Sequence, residues 1–258
     1  MDDANIALKL EEISKNFGGI KASNEININI PQNMIYGIIG PNGAGKTTLF
    51  NMITGVYTPT KGDIKFFGKS IIGKKTHEIA TLGIARTFQN IRLFGDLTVY
   101  ENVLIACQKN ITYNFWQSLL KTSECRRQEK TMADICETAL KNVGLSEHKD
   151  QRAKNLPYGM QRRLEIARGL VTNPKIILLD EPAAGMNEDE SKQLAGFIKE
   201  ILNGFGITII IIDHHMDVIM SICDRISVLN FGKLLAEGTP DEIQNNQEVI
   251  EAYLGVDE

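Results

Sequence analysis

The chain has 258 residues, of which 43% are hydrophobic and 23% are charged, so it is long enough to bury a core and too polar on average to lie within lipid. Its 28 basic and 32 acidic side chains give a formal net charge of −4. That balance does not supply the broad cationic surface that nucleic-acid backbones require, so we expect no nucleic-acid partner.

No stretch of the sequence has the pattern of a membrane span or an export signal. The longest aliphatic runs, such as Ile209 to Ile212, fall far short of the roughly 18 to 20 apolar residues that cross a bilayer. The first five residues are acidic and lack the basic-then-apolar order of a signal peptide, so we expect a cytoplasmic protein. The cysteines lack metal-type spacing and are expected to be buried reduced thiols. They are Cys107, Cys125, Cys136 and Cys223.

The first predicted elements flank a glycine-rich turn. Ile35 to Ile39 is a short apolar, β-branched run that predicts a strand, and Thr47 to Ile53 has the apolar spacing of a helix. After about residue 90 such β-branched runs cease. Helical patterns appear instead at Thr131 to Val143 and at Gln161 to Thr172, where Asn173-Pro174 ends the second. We therefore expect a mostly helical segment inserted in an α/β core.

Strands and helices alternate again after that segment. The apolar runs Ile176 to Leu179 and Thr208 to Ile212 are typical of parallel strands covered on both faces, and Ser191 to Asn203 between them has helical spacing. The runs on either side of Gly232 predict a hairpin. Thr239 to Glu242 has the spacing of a capping box that begins a short helix. No internal repeat is visible, so the chain carries one such unit.

Residues 40–47 fit the pattern G-x-x-x-x-G-K-[ST] between a predicted strand and a predicted helix, the context that marks a phosphate loop. Triphosphate oxygens concentrate negative charge, and backbone N–H groups converge on them where glycine accepts a positive φ. Lys46 is predicted to reach the β- and γ-phosphates of ATP, and Thr47 to bind Mg²⁺, while Thr48 begins the helix. The other residues expected to hold the nucleotide are Gly40, Pro41, Asn42, Gly43, Ala44 and Gly45.

Two carboxylates follow the apolar run that begins at Ile176. A strand would carry Asp180 and Glu181 to the carboxyl edge of the sheet, where open α/β sheets bind their ligands. We expect Asp180 to hold Mg²⁺, directly or through water, and Glu181 to orient the attacking water or accept its proton. The alternative is an acidic turn that only caps the next helix. The phosphate loop favours the functional interpretation.

The sequence around these motifs resembles the ATP-binding subunits of ABC transporters over nearly its whole length. Four further elements appear in that family's order: an aromatic residue, a glutamine, a signature segment and a histidine. They are Phe17, Gln89 within Arg86 to Asn90, Leu156 to Arg163, and His214. The resemblance implies a P-loop NTPase core of the ABC ATPase type. It also implies a single domain over residues 1–258, with the core at about 1–89 and 173–258 and a helical subdomain at about 90–172.

The resemblance gives roles to three of these side chains. Phe17 would stack on adenine, Gln89 would contact Mg²⁺ and the attacking water, and His214 would bond the γ-phosphate. The alternatives are a core phenylalanine, an ordinary surface glutamine, and His215 as the switch histidine. His214 is preferred because Asp213-His214 follows its strand as the family's acidic-residue and histidine pair does, although His215 replaces the family's usual next aspartate.

The signature segment departs from the family's commonest form, Leu-Ser-Gly-Gly-Gln. In the family, its serine and glycine groups bind the γ-phosphate held by a dimer partner. Here Pro157, Tyr158 and Met160 replace serine, the first glycine and glutamine, while Gly159 remains to bind the partner's ATP in trans. Because proline offers neither a hydroxyl nor an N–H, a charged contact of roughly 1.5 to 3 kcal/mol is lost. We hypothesise that this segment completes the weaker of two sites.

A narrower resemblance is to the ATPase subunits of high-affinity branched-chain amino-acid importers. It rests on Arg86 to Phe94, on the insert containing Trp116 to Thr122, and on four further runs. These runs are Tyr158 to Arg168, Pro182 to Asn187, Gly238 to Pro240, and Ala252 to Gly255. In that group two different ATPases lie beneath two membrane-spanning permeases, fed by an extracytoplasmic substrate-binding protein. The resemblance therefore implies those partners, with an ATPase homodimer as the alternative, and a peripheral position on the cytoplasmic side of the plasma (inner) membrane.

The function implied is ATP hydrolysis coupled to uptake of branched-chain or other hydrophobic amino acids. The alternatives are the single-cassette ATPase of a lipopolysaccharide-export type exporter, a soluble ABC ATPase without a membrane partner, and a non-hydrolysing nucleotide-binding scaffold. The insert and the C-terminal run favour the importer. The soluble class usually carries tandem cassettes or long coiled-coil insertions, which the sequence lacks. The retained Lys46, Asp180, Glu181 and His214 disfavour the scaffold.

Overall fold

The computed structural model describes residues 5–107 and 122–254 of the chain. Over these ranges the chain forms two compact units. The first unit consists of the residues up to Gln89 and those from Lys175 onward, and the second is Asn90–Pro174. The second unit is therefore inserted between the two halves of the first. The insert residues 116–121 and Gly255, which contribute to the resemblance above, lie outside the described residues.

Two β-sheets form the first unit. Its strands are β1 (Ile6–Phe17), β2 (Ile20–Pro31), β3 (Ile35–Ile39), β4 (Lys61–Phe66), β5 (Lys69–Ser70), β6 (Ile84–Arg86), β7 (Ile176–Asp180), β8 (Thr208–Ile212), β9 (Arg225–Asn230) and β10 (Lys233–Gly238). The larger sheet has the order β10-β9-β3-β8-β7-β6, with β10 antiparallel to β9 and the other neighbours parallel. The smaller sheet is antiparallel, in the order β2-β1-β4-β5.

The central strands of the larger sheet are buried on both faces. Every residue of β3, β7 and β8 is buried, which explains why their sequences are continuous apolar runs rather than alternating ones. These three predicted strands are confirmed. In the parallel register Asp180 lies opposite Ile212, and Ile212 lies opposite Ile38. The carboxyl ends of β3, β7 and β8 therefore meet at one edge of the sheet.

The smaller sheet has a different residue pattern, because its strands cover the core with one face. In β2, Ile26, Ile28 and Ile30 are buried while Asn27 and Asn29 between them are exposed. This period of two is typical of a strand with one solvent-exposed face. Continuous apolar runs do not reveal such strands, so this sheet was not among the predicted elements.

Some helices of the described residues lie close to their predicted ranges, one begins well before its predicted start, and others were not predicted. In chain order they are α1 (Lys46–Ile53), α2 (Thr76–Leu82), α3 (Val99–Cys107), α4 (Ser123–Asn142), α5 (Tyr158–Leu170), α6 (Glu188–Phe205), α7 (Met216–Ile222), α8 (Pro240–Gln244) and α9 (Gln247–Leu254). Helix α6 is longer than predicted because a capping box fixes its start: Asn187 Oδ1 accepts from Glu190 N at 2.9 Å, and Glu190 Oε2 accepts from Asn187 N at 3.0 Å. Gly206, at φ 58°, ends it.

The second unit is mostly helical, built from α3, α4 and α5. Helix α4 begins earlier than predicted because Thr122 Oγ1 accepts a hydrogen bond from Cys125 N at 3.3 Å and so caps it. Helix α5 begins about one turn earlier than predicted, directly after Pro157, and also ends slightly earlier. Its buried side carries an ion pair in which Arg162 Nη1 lies 2.6 Å from Glu165 Oε2.

The thiols and the hydropathy of the helices agree with the expectations from sequence. All four cysteines are buried and free of disulfides, and the Sγ atoms of Cys107 and Cys136 lie 3.5 Å apart in the second unit. Among the helices of residues 5–107 and 122–254, none combines the length and the apolar character of a membrane span.

The predicted C-terminal hairpin and capping box are both confirmed. Strands β9 and β10 turn at Phe231 and Gly232, whose φ angles are 43° and 75°. Gly232 N donates to Ala44 O at 3.1 Å, which attaches the turn to the loop that follows β3. Thr239 Oγ1 accepts from Glu242 N at 3.3 Å, and Glu242 Oε2 accepts from Thr239 N at 2.8 Å, so α8 starts as predicted.

Candidate functional site

Residues 40–47 connect β3 to α1 through a loop whose glycines have little freedom to be replaced. Gly40, Gly43 and Gly45 have φ angles of 150°, 82° and 100°. A Cβ atom on Gly40 would lie 2.1 Å from Leu229 O, and one on Gly45 would lie 2.4 Å from Ala22 O. The neighbouring backbone therefore leaves no room for a side chain at either position. Glycine satisfies the positive φ and the close approach together.

Lys46 is held inside this loop by the loop's own backbone. Its Nζ donates to Gly40 O at 2.6 Å and to Pro41 O at 3.0 Å, and the residue is only 8% exposed. Burial lowers the pKa of the Lys46 ammonium, and the negative charge of Glu181 acts in the opposite direction. The next residue, Thr47, is exposed at the start of α1. The loop thus presents one buried cation and one accessible hydroxyl.

The two carboxylates lie at the carboxyl end of β7. Asp180 is its last residue and is 5% exposed. Glu181 has a φ of 45°, in the left-handed region, and its N–H donates to Ile212 O at 2.7 Å. A non-glycine residue in this region costs about 1 to 3 kcal/mol, and such strain is concentrated at functional sites. The bond to β8 holds Glu181 in that conformation.

Glu181 lies beside two of the predicted site residues. Gln89 Nε2 donates to Glu181 Oε2 at 2.6 Å, and His214 Nδ1 lies 3.6 Å from the same oxygen. Gln89 follows β6, and His214 follows β8, on either side of β7. The parallel order of three strands therefore brings the three side chains together at one edge.

Asp213 forms hydrogen bonds with His215, and this distinguishes the two adjacent histidines. Its Oδ1 accepts from His215 N at 2.9 Å and lies 2.7 Å from His215 Nδ1, while its Oδ2 accepts from Ala183 N at 3.1 Å. The ligand atoms of Asp213, His214 and His215 lie within 4.8 Å of one another, close enough to share one metal ion. The hydrogen bonds already engage both oxygens of Asp213. His214, and not His215, is the histidine next to Glu181.

Asp180 has a partner that was not among the predicted site residues. Arg86 Nη2 lies 2.7 Å from Asp180 Oδ2, and both side chains are 7% exposed. Arg86 Nη1 also donates to Asn51 Oδ1 at 2.7 Å and to Thr54 Oγ1 at 3.3 Å. In the sequence, the signal is a basic residue that ends the short apolar run Gly83-Ile84-Ala85. From sequence, Arg86 was expected only to belong to the run that contains Gln89.

Phe17 lies at the surface, at the end of β1. It is 41% exposed, its ring meets that of Tyr57 edge-on with centroids 5.2 Å apart, and Lys15 Nζ lies 5.1 Å from its centroid. The alternative of a core phenylalanine is therefore wrong. An aromatic side chain with this exposure is available for stacking.

Gly159 lies in the second unit, in the first turn of α5. Pro157 caps this helix without a side-chain hydrogen bond, and Tyr158 is 40% exposed. A Cβ atom on Gly159 would meet nothing within 4 Å. Packing within the chain therefore does not require glycine at this position.

Comparison with known families identifies two matching segments. Residues 23–184 match the family described as ABC transporter. Residues 233–258 match a second family, described as Branched-chain amino acid ATP-binding cassette transporter. The first match contains the phosphate loop, the signature segment and both carboxylates. The second begins at β10.

Relatives that match over nearly their full length are ATP-binding proteins of transport systems. The chain is 46% identical over 248 residues to the high-affinity branched-chain amino acid transport ATP-binding protein LivG of Salmonella typhimurium, covering 96% of this chain and 97% of that protein. A more distant relative, the lipopolysaccharide export system ATP-binding protein LptB of Haemophilus influenzae, is 32% identical over 250 residues, covering 96% and 97%.

A solved structure shows the same architecture. The ADP conformation of MJ1267, an ATP-binding cassette of an ABC transporter, matches with a TM-score of 0.84 and 32% identity, covering 97% of this chain and 99% of that one. The expected fold class, a P-loop NTPase core of the ABC ATPase type with an inserted helical part, is thereby confirmed.

Proposed function

This chain belongs to the ATP-binding subunits of ABC transporters, and we propose that it hydrolyses ATP to drive uptake of branched-chain or other hydrophobic amino acids. The observation that carries the proposal is the meeting of Lys46, Asp180, Glu181 and His214 around the carboxyl edge of one parallel sheet. Open α/β sheets bind their ligands at that edge. The amino-acid substrate is inferred from the full-length relatives named for that transport.

The triphosphate of ATP is bound by the phosphate loop. Backbone N–H groups at the start of α1 and the positive end of its dipole hold the phosphate oxygens. Lys46, now bonded to the carbonyl groups of Gly40 and Pro41, turns to the β- and γ-phosphates, because a buried ammonium is stabilised best by a charged partner. Phe17 stacks on adenine. The remaining contacts come from Asn42, Gly43, Ala44, Gly45, Thr47 and Thr48.

The oxygen donors near the loop fit Mg²⁺. The Thr47 hydroxyl, the Asp180 carboxylate and the Gln89 amide oxygen belong to the class of hard ligands that this ion prefers. The histidine nitrogens beside Asp213 belong to a softer class and are not assigned to it. When bound, Mg²⁺ neutralises charge on the β- and γ-phosphate oxygens.

Glu181 acts on the attacking water, orienting it and accepting its proton. Gln89 holds the Glu181 carboxylate in place through the 2.6 Å hydrogen bond and also contacts the water. His214 binds the γ-phosphate on the other side of that carboxylate. Lys46 and the loop N–H groups stabilise the negative charge on the phosphoryl group as it is transferred. The chemistry therefore depends mainly on where charges are held.

A second ATPase subunit completes each nucleotide site. The open space around Gly159 and the N-terminus of α5 can take the γ-phosphate held by that partner. We propose a heterodimer of two homologous ATPases, with a homodimer as the alternative. Because Pro157 replaces serine, the site that this signature segment completes is the weaker one.

The assembly that we propose lies on the cytoplasmic side of the plasma (inner) membrane. Two membrane-spanning permeases bind the ATPase pair, and an extracytoplasmic substrate-binding protein delivers the amino acid. The exporter alternative draws support from the similarity to LptB. The importer is favoured because the relatives named for branched-chain amino acid transport are more similar, and because the segment that begins at β10 matches the family of that name.

Co-purification with the permeases tests the transporter assignment. A tagged Glu181→Gln variant should bind ATP without hydrolysing it, and should therefore retain the assembled complex when it is extracted from membranes in detergent with ATP. We expect two permeases, a second ATPase and bound leucine-like amino acids. A Lys46→Met variant is the matched control, since it should fail to hold ATP. Recovery of soluble partners alone would overturn the assignment to a transporter. A Glu181→Gln variant that releases phosphate at the wild-type rate would overturn the role proposed for Glu181 in hydrolysis.

A further inference from the structure

The side chain of Arg86 is the centre of a buried polar cluster next to the carboxylates. Strand β6 pairs in parallel with β7, and Arg86 is its last residue, opposite Leu178. The guanidinium donates to Asp180, Asn51 and Thr54. It also lies over two aromatic rings, with its Cζ atom 5.6 Å and 5.1 Å from their centroids. Those rings belong to Phe50 and Phe88.

This cluster gives the Asp180 carboxylate a buried positive partner. A carboxylate that is 7% exposed is costly to leave without a positive partner, and arginine keeps its charge at every working pH. The planar guanidinium donates to Asp180 and Asn51 with its two terminal nitrogens, so its orientation is set from two sides. The position of Asp180 Oδ2 is therefore determined by Arg86.

Arg86 also belongs to the segment that holds Glu181. Within a few residues of chain, Arg86 bonds Asp180 and Gln89 bonds Glu181, which is the next residue. One segment therefore contacts both carboxylates in sequence order. A shift of this segment would move the two carboxylates together.

We propose that Arg86 is a positioning residue that balances the charge of Asp180 until magnesium arrives, and so limits how strongly ATP binding depends on the ion. This inference rests on the proposed function. The triphosphate and Asp180 are both negative, and they repel each other when no cation lies near Asp180. Arg86 supplies a permanent positive charge 2.7 Å from that carboxylate, so ATP can enter the site before Mg²⁺ does. Without Arg86, the ion alone must neutralise Asp180.

The test measures the dissociation constant of a fluorescent ribose-labelled ATP in EDTA and in Mg²⁺, under conditions in which ATP is not hydrolysed. The quantity compared is the constant in EDTA divided by the constant in Mg²⁺. For Arg86→Met the ratio should rise by about tenfold, equivalent to about 1.4 kcal/mol. Arg86→Lys keeps the charge and should stay within about twofold of wild type. The matched control is Arg225→Met, which removes an arginine from the same unit, paired at 3.1 Å with Glu237 away from the site. Its ratio should equal that of wild type.

A ratio for Arg86→Met that equals the wild-type ratio would overturn the inference, since a purely structural role predicts equal losses with and without the ion. If Arg86→Met does not fold, Arg86→Gln removes the charge while keeping a hydrogen-bond donor for Asp180, and the ratio should still rise. An unchanged ratio in a folded Arg86→Gln variant would then overturn the inference. Failure of the wild-type protein to bind ATP in either condition would instead overturn the proposed function.

Discussion

Asp213 Oδ1 lies 2.7 Å from His215 Nδ1, and this bond ties His215 to a buried carboxylate while His214 is left beside Glu181. The adjacent histidines, of which the family resemblance favoured His214, therefore have different surroundings. The side chain of His214 is 54% exposed and that of His215 is 34% exposed. The more exposed ring, that of His214, is the one that we propose to bind the γ-phosphate.

His214→Ala should lower the ATPase rate of the assembled transporter by about 10² to 10³, the usual effect of removing one group that stabilises the transferring charge. His215→Ala should lower it by less than about tenfold. It should instead reduce the free energy of unfolding by about 1 kcal/mol, because Asp213 loses a hydrogen bond. Phosphate release and denaturant unfolding measure the two effects. A larger rate loss in His215→Ala would reverse the assignment.

Gly40→Ala should lower the free energy of unfolding by about 3 kcal/mol or more, because its Cβ atom would lie 2.1 Å from Leu229 O. Such a loss is near the upper end of those seen for single substitutions. Gly18→Ala is the matched control. Gly18 has a positive φ of 56° and open space around it, so alanine there should cost only about 1 to 2 kcal/mol of conformational strain. Urea unfolding compares the two. Equal losses would mean that the loop can move away from β9.

Gly159→Ala should leave this chain folded but lower the ATPase rate of the complex. Gly159 and Gly196 are both helical glycines whose added Cβ atoms meet nothing within 4 Å. Alanine at either should raise stability slightly, by about 0.5 to 1 kcal/mol at most. We expect the ATPase rate of the assembled complex to fall at least about tenfold for Gly159→Ala, because the added methyl group would keep the partner's phosphate from the backbone N–H and so lose one charged contact. Gly196→Ala should keep full activity, and equal activity in both variants would contradict a role in trans.

Pro157→Ser should raise the ATPase rate of the assembled transporter by about tenfold, because a serine hydroxyl restores a charged hydrogen bond to the partner's phosphate. Pro157→Ala is the control: both substitutions restore the backbone N–H, but only serine adds a hydroxyl. We expect a smaller gain for alanine. An unchanged rate for Pro157→Ser would show that the departure from the family's signature does not weaken that site.

Elements that depend on local sequence could be predicted, and elements that depend on distant pairing could not. The strand at Ile176 and the capping box at Thr239 are written in a few consecutive residues, and both are confirmed. The antiparallel sheet depends in part on β1 pairing with β4, which lies beyond the phosphate loop. Its β1–β2 hairpin is local, with only Gly18 and Gly19 between the strands, but the alternation of isoleucine with asparagine in β2 was not used to predict it.

The same distinction applies to the site. The phosphate loop is contiguous, so its residues could be named from the pattern alone. Gln89, Glu181 and His214 lie far apart in sequence, and only the resemblance suggested that they act together. Arg86 was not predicted to bond Asp180, because that contact follows from the register between β6 and β7. The roles given to these side chains stay predictions until the variants are measured.

The turn at Phe231 and Gly232 has a consequence for synthesis of the protein. Leu229 O and Gly232 N brace the loop that begins at Gly40, yet the ribosome adds them long after that loop has left the exit tunnel. Until β9 and its turn have emerged, the nascent chain lacks the backbone that shapes its phosphate loop. We therefore expect a shortened translation product that stops before Gly232 to bind ATP more weakly than the finished subunit.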